Sequence, residues 1–296
     1  MARTSWDVTE PQKLTFDDPL TDLHVRTVDG TVNVVGTDDN HDDSARLEVT
    51  EIEGPPLRVT VEDGVLTVAY DDLPWQNFLK WFDRKGHRRR AIVSLAVPAA
   101  TRVEVGVVGA GAVISGITAK TTVRGVSGDS TLLALSGPVV AETVSGNVEA
   151  QAVTGKLRFS SVSGGLTVVE GSGASVRADT VSGDTIVDVE PGDGPTDIQL
   201  NSVSGEIAVR LPHSADASVE ANTASGAVSN SFDDLHVGGS WGAKRVTGRL
   251  GAGGGSLKAN TVSGAIALLH RPAPHEDEPP ADTPPADDVP PTGKVL

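Results

Sequence analysis

Polar and apolar residues alternate over short stretches along most of this chain. Val148, Ala150, Leu157, Phe159, Leu166 and Val168 fall on one face of three consecutive stretches, and their neighbours are polar. Alternation with period two marks half-buried strands. The same reading upstream predicts strands at Asp22–Val28, Thr31–Val35, Ala45–Ile52, Leu57–Glu62, Val65–Tyr70, Ala91–Val97 and Arg102–Val107. Each stretch is too short, and has too little apolar face, to fold alone.

The turns between strands repeat. Val126-Ser127-Gly128, Val144-Ser145-Gly146, Val162-Ser163-Gly164, Val181-Ser182-Gly183, Val203-Ser204-Gly205, Ala224-Ser225-Gly226 and Val262-Ser263-Gly264 are versions of one motif, usually preceded by Thr or Ser. Halfway between come Leu135-Ser136-Gly137, Val153-Thr154-Gly155 and Ser172-Gly173. From Gly128 to Gly173 a glycine therefore recurs about every nine residues, which two strands and two turns per coil would produce. Stacked coils would pair their backbones at about 4.8 Å and extend one core. The expected fold is all-β: a right-handed parallel β-helix, or β-solenoid, of about 18–22-residue coils. Corner glycines Gly128, Gly146, Gly164, Gly183, Gly205, Gly226 and Gly264 are assigned a structural role, permitting a turn that a Cβ would hinder. Equivalent residues should align into ladders, the motif serines in one and Asn201, Asn222 and Asn260 in another.

Three regions follow. Residues 1–106 form a less regular β region that starts or caps the solenoid, 107–270 the repeats, and 271–296 a tail rich in proline and acid, expected to be disordered. One segment breaks the β pattern. In 74–90, Trp75, Phe78, Leu79 and Phe82 recur at helical spacing, with Trp81 beside them, and predict a short helical insertion. Lys80, Arg84, Lys85, Arg88, Arg89 and Arg90 make it strongly basic against Asp83.

Composition narrows the function. Only four Trp, five Phe and one Tyr occur, so small and branched side chains must fill the core. The net charge of −16 opposes general nucleic-acid binding. With no cysteine, disulfides and thiolate chemistry are excluded. Residues 1–20 carry no apolar run or cleavage pattern, and no stretch is apolar enough for a transmembrane helix. The expected location is cytoplasmic, with peripheral contact at the inner membrane face. The excess of Arg over Lys, with abundant Ala, Pro and Gly, points to a bacterial source.

The repeated Thr-Val-Ser-Gly-Asp/Asn/Glu corner resembles a bacterial β-strand-repeat family of unknown function, often labelled putative adhesin. Short strands such as Thr31-Val32-Asn33-Val34-Val35-Gly36, and the Val97-Pro98 strand end, share that resemblance. It covers roughly residues 15–270. It implies a right-handed parallel β-helix and a context of cell-envelope stress, and it brings no catalytic residues.

Other motifs favour plainer readings. Gly238-Gly239-Ser240-Trp241-Gly242 matches G-x-S-x-G, but no helical pattern follows to make a nucleophile elbow. Asp38, Asn40 and Asp42 resemble the start of a calcium loop without its glycine or closing glutamate. Gly106, Gly109 and Gly111 do not complete a dinucleotide fingerprint, and the histidines are scattered. After the corner glycines come Asp129, Asn147, Lys156, Gly165, Asp184, Glu206, Ala227 and Ala265, a mixture unsuited to a repeated calcium site. Asp129 and Asp184, on equivalent corners three coils apart, would lie about 14 Å from each other, beyond the spacing of a glycosidase pair. No metal, cofactor or catalytic residue is expected. The expectation is a non-enzymatic scaffold docking to an anionic membrane or a protein partner through Trp75–Arg90. The alternatives are a carbohydrate-binding or carbohydrate-acting β-helix, and a solenoid that self-associates through its ends.

Overall fold

The computed structural model describes residues 3–38, 44–70, 89–171, 175–190 and 197–271, and every regular element among them is a strand. The expected tail after Arg271, Gly173 and all of the basic aromatic segment before Arg89 lie outside the described residues.

Two long sheets face each other, sheet A with 14 strands and sheet B with 12. The regular middle consists of β9 (Arg102–Val107), β10 (Gly111–Ser115), β11 (Thr121–Gly125), β12 (Ser130–Leu133), β13 (Val139–Thr143) and β14 (Val148–Gln151). It continues with β15 (Leu157–Ser161), β16 (Leu166–Gly171), β17 (Ser175–Thr180), β18 (Thr185–Val189), β19 (Asp197–Asn201) and β20 (Ile207–Leu211). Odd strands lie in sheet A and even strands in sheet B, each parallel to its neighbour one coil away. One coil is thus one strand in each sheet and two corners, as the nine-residue glycine rhythm implied.

Alternation places one face of every strand in the core. Stacking then makes each inward position a column, and the columns are filled by volume. Phe159 stands in register between Ala141 and Ala178, all three fully buried. Leu200 likewise stands between Ala178 and Ala259. A chain poor in aromatics reaches close packing by putting its large side chains beside alanines.

Neither end follows the simple repeat. At the start, β3 (Asp22–Thr27) and β4 (Asp29–Thr37) stack on β9 and β10, and β7 (Val65–Ala69) and β8 (Arg90–Pro98) form the next coil outward. Beyond these, β5 (Ala45–Glu53) and β6 (Leu57–Glu62) run antiparallel to β8 and β7. The outermost strands are β1 (Thr4–Val8) and β2 (Gln12–Phe16), also antiparallel to their neighbours. Trp6 meets Phe16 edge to face at 5.4 Å and closes the core there. The strand positions read from alternation hold to within two residues, but the antiparallel pairings do not follow from a purely parallel helix.

The other end is threaded out of order. After β20 the chain passes over one coil position to make β21 (Ala217–Thr223) and β22 (Val228–Asn230). It then forms an antiparallel hairpin, β23 (Leu235–Ser240) and β24 (Ala243–Leu250), on the outer edge of sheet A. Only then do β25 (Gly255–Thr261) and β26 (Ile266–His270) return and fill the empty position between β19–β20 and β21–β22.

Candidate docking surface

The corners leading from sheet A to sheet B form one line along the solenoid. In each, the serine N–H donates to the carbonyl of the motif valine in the adjacent coil. Ser145 to Val126, Ser163 to Val144 and Ser182 to Val162 all measure 2.8 Å. The residue three before the glycine accepts its N–H: Thr143 Oγ1 from Gly146 at 3.0 Å, Ser161 Oγ from Gly164 at 2.7 Å and Ser202 Oγ from Gly205 at 2.8 Å. The motif's hydroxyls therefore satisfy the polar backbone of a tight corner.

Its glycines have another cause. None of the motif glycines has a positive φ. A Cβ on Gly146 would instead overlap the carbonyl oxygen of Gly128, and one on Gly164 that of Gly146. The same contact runs through Gly183, Gly205, Gly264 and Gly226. The sequence reading gave these glycines to a turn that a Cβ would hinder. The structure names the obstacle: successive corners stack backbone on backbone, and the carbonyl of the adjacent corner lies where the Cβ would be.

The residue after the glycine is structural too. Asp129 Oδ1 accepts the Asn147 N–H at 2.8 Å, Asn147 Oδ1 that of Gly165 at 2.9 Å, and Asp184 Oδ1 that of Glu206 at 2.8 Å. Asp129 and Asp184 do sit three coils apart. Gly238–Gly242 is the tip of the β23–β24 hairpin, strand to turn to strand, with no helix after Ser240. Among the described residues no three His, Cys, Asp or Glu side chains converge.

On the solvent side of this corner line the motif valines change character. Val126 is buried, whereas Val162, Val181, Val203 and Val262 are 45–53% exposed. Beside each stands an exposed serine. The result is an apolar and hydroxyl strip along four consecutive coils, about 15–20 Å long. Sequence reading placed these valines in the repeat but had no signal for their exposure, since a motif valine reads as core.

The basic aromatic segment is rooted on the same line. The chain between β7 and β8 includes residues 71–88, whereas the coils from β11 to β18 join their two strands by a four-residue corner. Trp75, Phe78, Leu79, Lys80, Trp81, Phe82, Arg84, Lys85 and Arg88 lie outside the described residues. Arg89 accepts the Asp29 N–H at its carbonyl, and Arg90 is already the first residue of β8. Arg90 Nε donates to Glu51 Oε1 at 2.9 Å. This corrects its assignment to the insertion: it is a strand residue held by the neighbouring strand. At the other root, Tyr70 is buried, its hydroxyl has no partner among the described residues, and burial raises its phenol above the ordinary value while the positive charge of Arg89 opposes the rise. Both flanks keep full register with the adjacent coil, β7 on β3 and β8 on β4.

Charges on the outer face of sheet A are mostly paired. Arg124 bridges Glu104 at 2.7 Å and Glu142 at 3.0 Å across three coils. Asp22 accepts two bonds from Arg102, which together hold its carboxyl below the usual range. At Asp179 burial acts to raise the carboxyl, but bonds from Asn201 and Arg177 outweigh it.

Two facing sheets, hydrogen-bonded corners and a continuous apolar core define a parallel β-solenoid with antiparallel ends. The Toastrack DUF4097 family model matches residues 20–269, and the chain belongs to that family. Solved structures that the chain matches include a putative cell adhesion protein from Clostridium sporogenes, at 12% identity and a TM-score of 0.24, covering 88% of this chain and 100% of that one. A putative adhesin from Parabacteroides distasonis has 14% identity and a TM-score of 0.33, covering 90% of this chain and 97% of that one. Among curated proteins none matches. Among the described residues no helix is long and apolar enough to cross a membrane.

Proposed function

We propose that this chain is a non-enzymatic scaffold, working at the inner membrane face, whose rigid solenoid displays the Trp75–Arg88 segment to an anionic membrane surface. The supporting observation is the root of that segment. It links two strands, β7 and β8, that keep unbroken register with β3 and β4 of the adjacent coil, so that stacking does not need its length. The strands that flank it, β7 and β8, stand inward of β5, β6, β1 and β2 in the sheet order, and Trp6 on Phe16 covers the core at that end. A segment with Trp75, Phe78, Trp81 and Phe82 among Lys80, Arg84, Lys85 and Arg88 has the composition of an interfacial anchor, apolar rings for the acyl boundary and cations for the headgroups.

Flotation of the purified full chain with anionic and neutral liposomes, at low and high salt, tests this. The expected result is flotation with anionic vesicles only, lost at high salt and in a Trp75→Ala, Trp81→Ala, Arg88→Ala variant. Arg90 is left in place because it holds Glu51. Absence of flotation, or flotation unchanged in the variant, overturns the reading and turns the search to an acidic protein partner.

A further inference from the structure

The two ends of the solenoid are built differently. At the start the sheets finish level, β1 in sheet A opposite β2 in sheet B. Their outer strands carry ion pairs, Arg58 with Asp7 at 3.1 Å and Lys13 with Glu48 at 3.0 Å, and Trp6 on Phe16 covers the core. At the far end sheet B stops at the three-residue β22, whereas sheet A continues through β24 and β23. Sheet A therefore overhangs sheet B by two strands, a step about 10 Å high. Among the described residues both β22 and β23 present an unpaired backbone edge.

The inner face of the overhang is only half covered. Phe232 and Leu235 close the core on the side of the Ser231–Asp234 turn and are nearly inaccessible. Val237, in register with the buried Val246, is 53% exposed where the next coil would stack. The hairpin tip carries Trp241, fully exposed. Ser240 pairs with Ala243, so the loop is the two residues Trp241 and Gly242, with φ of 55° and 90°. That is the type I′ geometry that favours Asn or Gly, and a tryptophan in it is locally unfavourable. The fold gains nothing from this side chain. The adjacent corner, Ala224-Ser225-Gly226-Ala227, also departs from the repeat: alanine replaces valine, and a second alanine replaces the acidic or amide residue of most corners. It offers a small, uncharged seat.

We propose that this stepped end is an interface between two copies of the chain, related by a two-fold axis parallel to the strands. Such a rotation carries the overhang of sheet A in one copy over the step of sheet B in the other, and the step is its own complement. β23 runs with β21, because two antiparallel pairings intervene. Strands of sheet B run opposite to those of sheet A, so β23 meets β22 of the second copy antiparallel, the more stable edge pairing. Both overhangs then face each other with Val237 inside, and Trp241 of each copy reaches the Ala224–Ala227 corner of the other. An end face roughly 20 Å square plus a step wall of roughly 10 Å by 20 Å gives about 600 Å² per copy and ~1,200 Å² in all. That is the lower end of the range for specific interfaces, so the dimer is expected to dissociate on dilution. Closed two-fold contacts, unlike head-to-tail ones, stop at two copies.

Light scattering coupled to size exclusion, over a dilution series of the full chain, reads the mass. A dimer that falls to monomer on dilution is expected, and monomer throughout for Val237→Lys. Trp241→Asn is a second variant with opposed effects, a higher unfolding temperature and a weaker dimer. Because the chain has no cysteine, Val237→Cys alone should cross-link to itself through a short bismaleimide, and Thr4→Cys should not. Monomer at every concentration, a dimer indifferent to Val237→Lys, or growth into polymers would each overturn the proposal. This end is remote from β7 and β8 in the sheet order, so loss of the dimer and loss of liposome flotation are separate results.

Discussion

Asn260 donates from Nδ2 to Oδ1 of Asn201 at 3.1 Å, although 59 residues separate them in the chain. Asn222 in turn donates to Oδ1 of Asn260 at 3.1 Å, and Asn201 to Oδ1 of Asp179 at 2.8 Å. The spatial order of the ladder is therefore 179, 201, 260, 222. The last coil is the keystone of the C-terminal end: β25 and β26 have parallel partners on both sides, which no other strands after β20 have. Asn260→Ala removes both bonds that this residue makes. They are exposed, so a loss of about 1 kcal/mol is expected in urea unfolding. Truncation after Gly254 is a different matter. It opens a gap between β19–β20 and β21–β22, and protease sensitivity should then appear throughout residues 212–254 while the earlier coils remain protected.

The corner glycines separate two causes that sequence alone confuses. At Gly146 the backbone has an ordinary φ, and the obstacle to a side chain is the Gly128 carbonyl of the next coil. That carbonyl is backbone and not the end of a flexible side chain, so the coils must part. Gly146→Ala should cost at least about 3 kcal/mol, the upper end of what overpacking does. Gly238 is the control. It too lacks a positive φ, and a Cβ there meets nothing within 4 Å. Gly238→Ala should leave the unfolding midpoint unchanged or slightly raised.

Phe159 lies in the middle of the inner column, with alanine in register on both sides. Phe159→Ala leaves three successive alanines and a cavity that two hydrogen-bonded sheets cannot collapse to fill. A loss of about 3–5 kcal/mol is expected in chemical denaturation. Adding Ala141→Leu to that variant should recover part of the loss, whereas Ala141→Leu alone should destabilise, since Phe159 already fills that space. Non-additivity of that sign is the signature of a shared volume.

Much of the fold is legible in the sequence because a solenoid repeats local rules. Period-two alternation located β3 through β9, and the glycine rhythm gave the coil, since each corner contacts only its neighbours. The register ladder of Asn201, Asn222 and Asn260 was legible in membership and not in order. Nothing local distinguishes β25 from a strand that simply follows β21: Thr261-Val262-Ser263-Gly264 carries the same motif as Thr180-Val181-Ser182-Gly183. The position of the returning coil is decided by long-range pairing. The hairpin at Trp241 was hidden for another reason, because its turn residue is not one that the turn type favours. Of the proposed docking segment, the basic and aromatic character of 74–90 was visible, and Arg90 was misplaced because a strand beginning on an arginine looks like the end of a basic run.

Asp22 provides the pH test. Its two hydrogen bonds from Arg102, at 2.7 and 2.8 Å, join β3 to β9 across the junction between the irregular first coils and the regular repeats. The bonds from Arg102, assisted by Thr21, outweigh the opposing effect of burial and hold the folded carboxyl below its unfolded value of 3.8. A carboxyl whose folded value is lowered binds fewer protons folded than unfolded as the pH approaches that range from above. Its contribution is therefore complete above about pH 5, declines as the pH falls through the unfolded and then the folded value, and is gone below both. Asp22→Asn keeps the shape and removes the titration. At neutral pH the variant should unfold at lower temperature than the parent, by a small margin because the arginine is exposed. As the pH is lowered from 5 to 2.5 the two unfolding temperatures should converge. Parallel curves over that interval would mean that Asp22 titrates alike in both states and that the pair does not tie the two parts together.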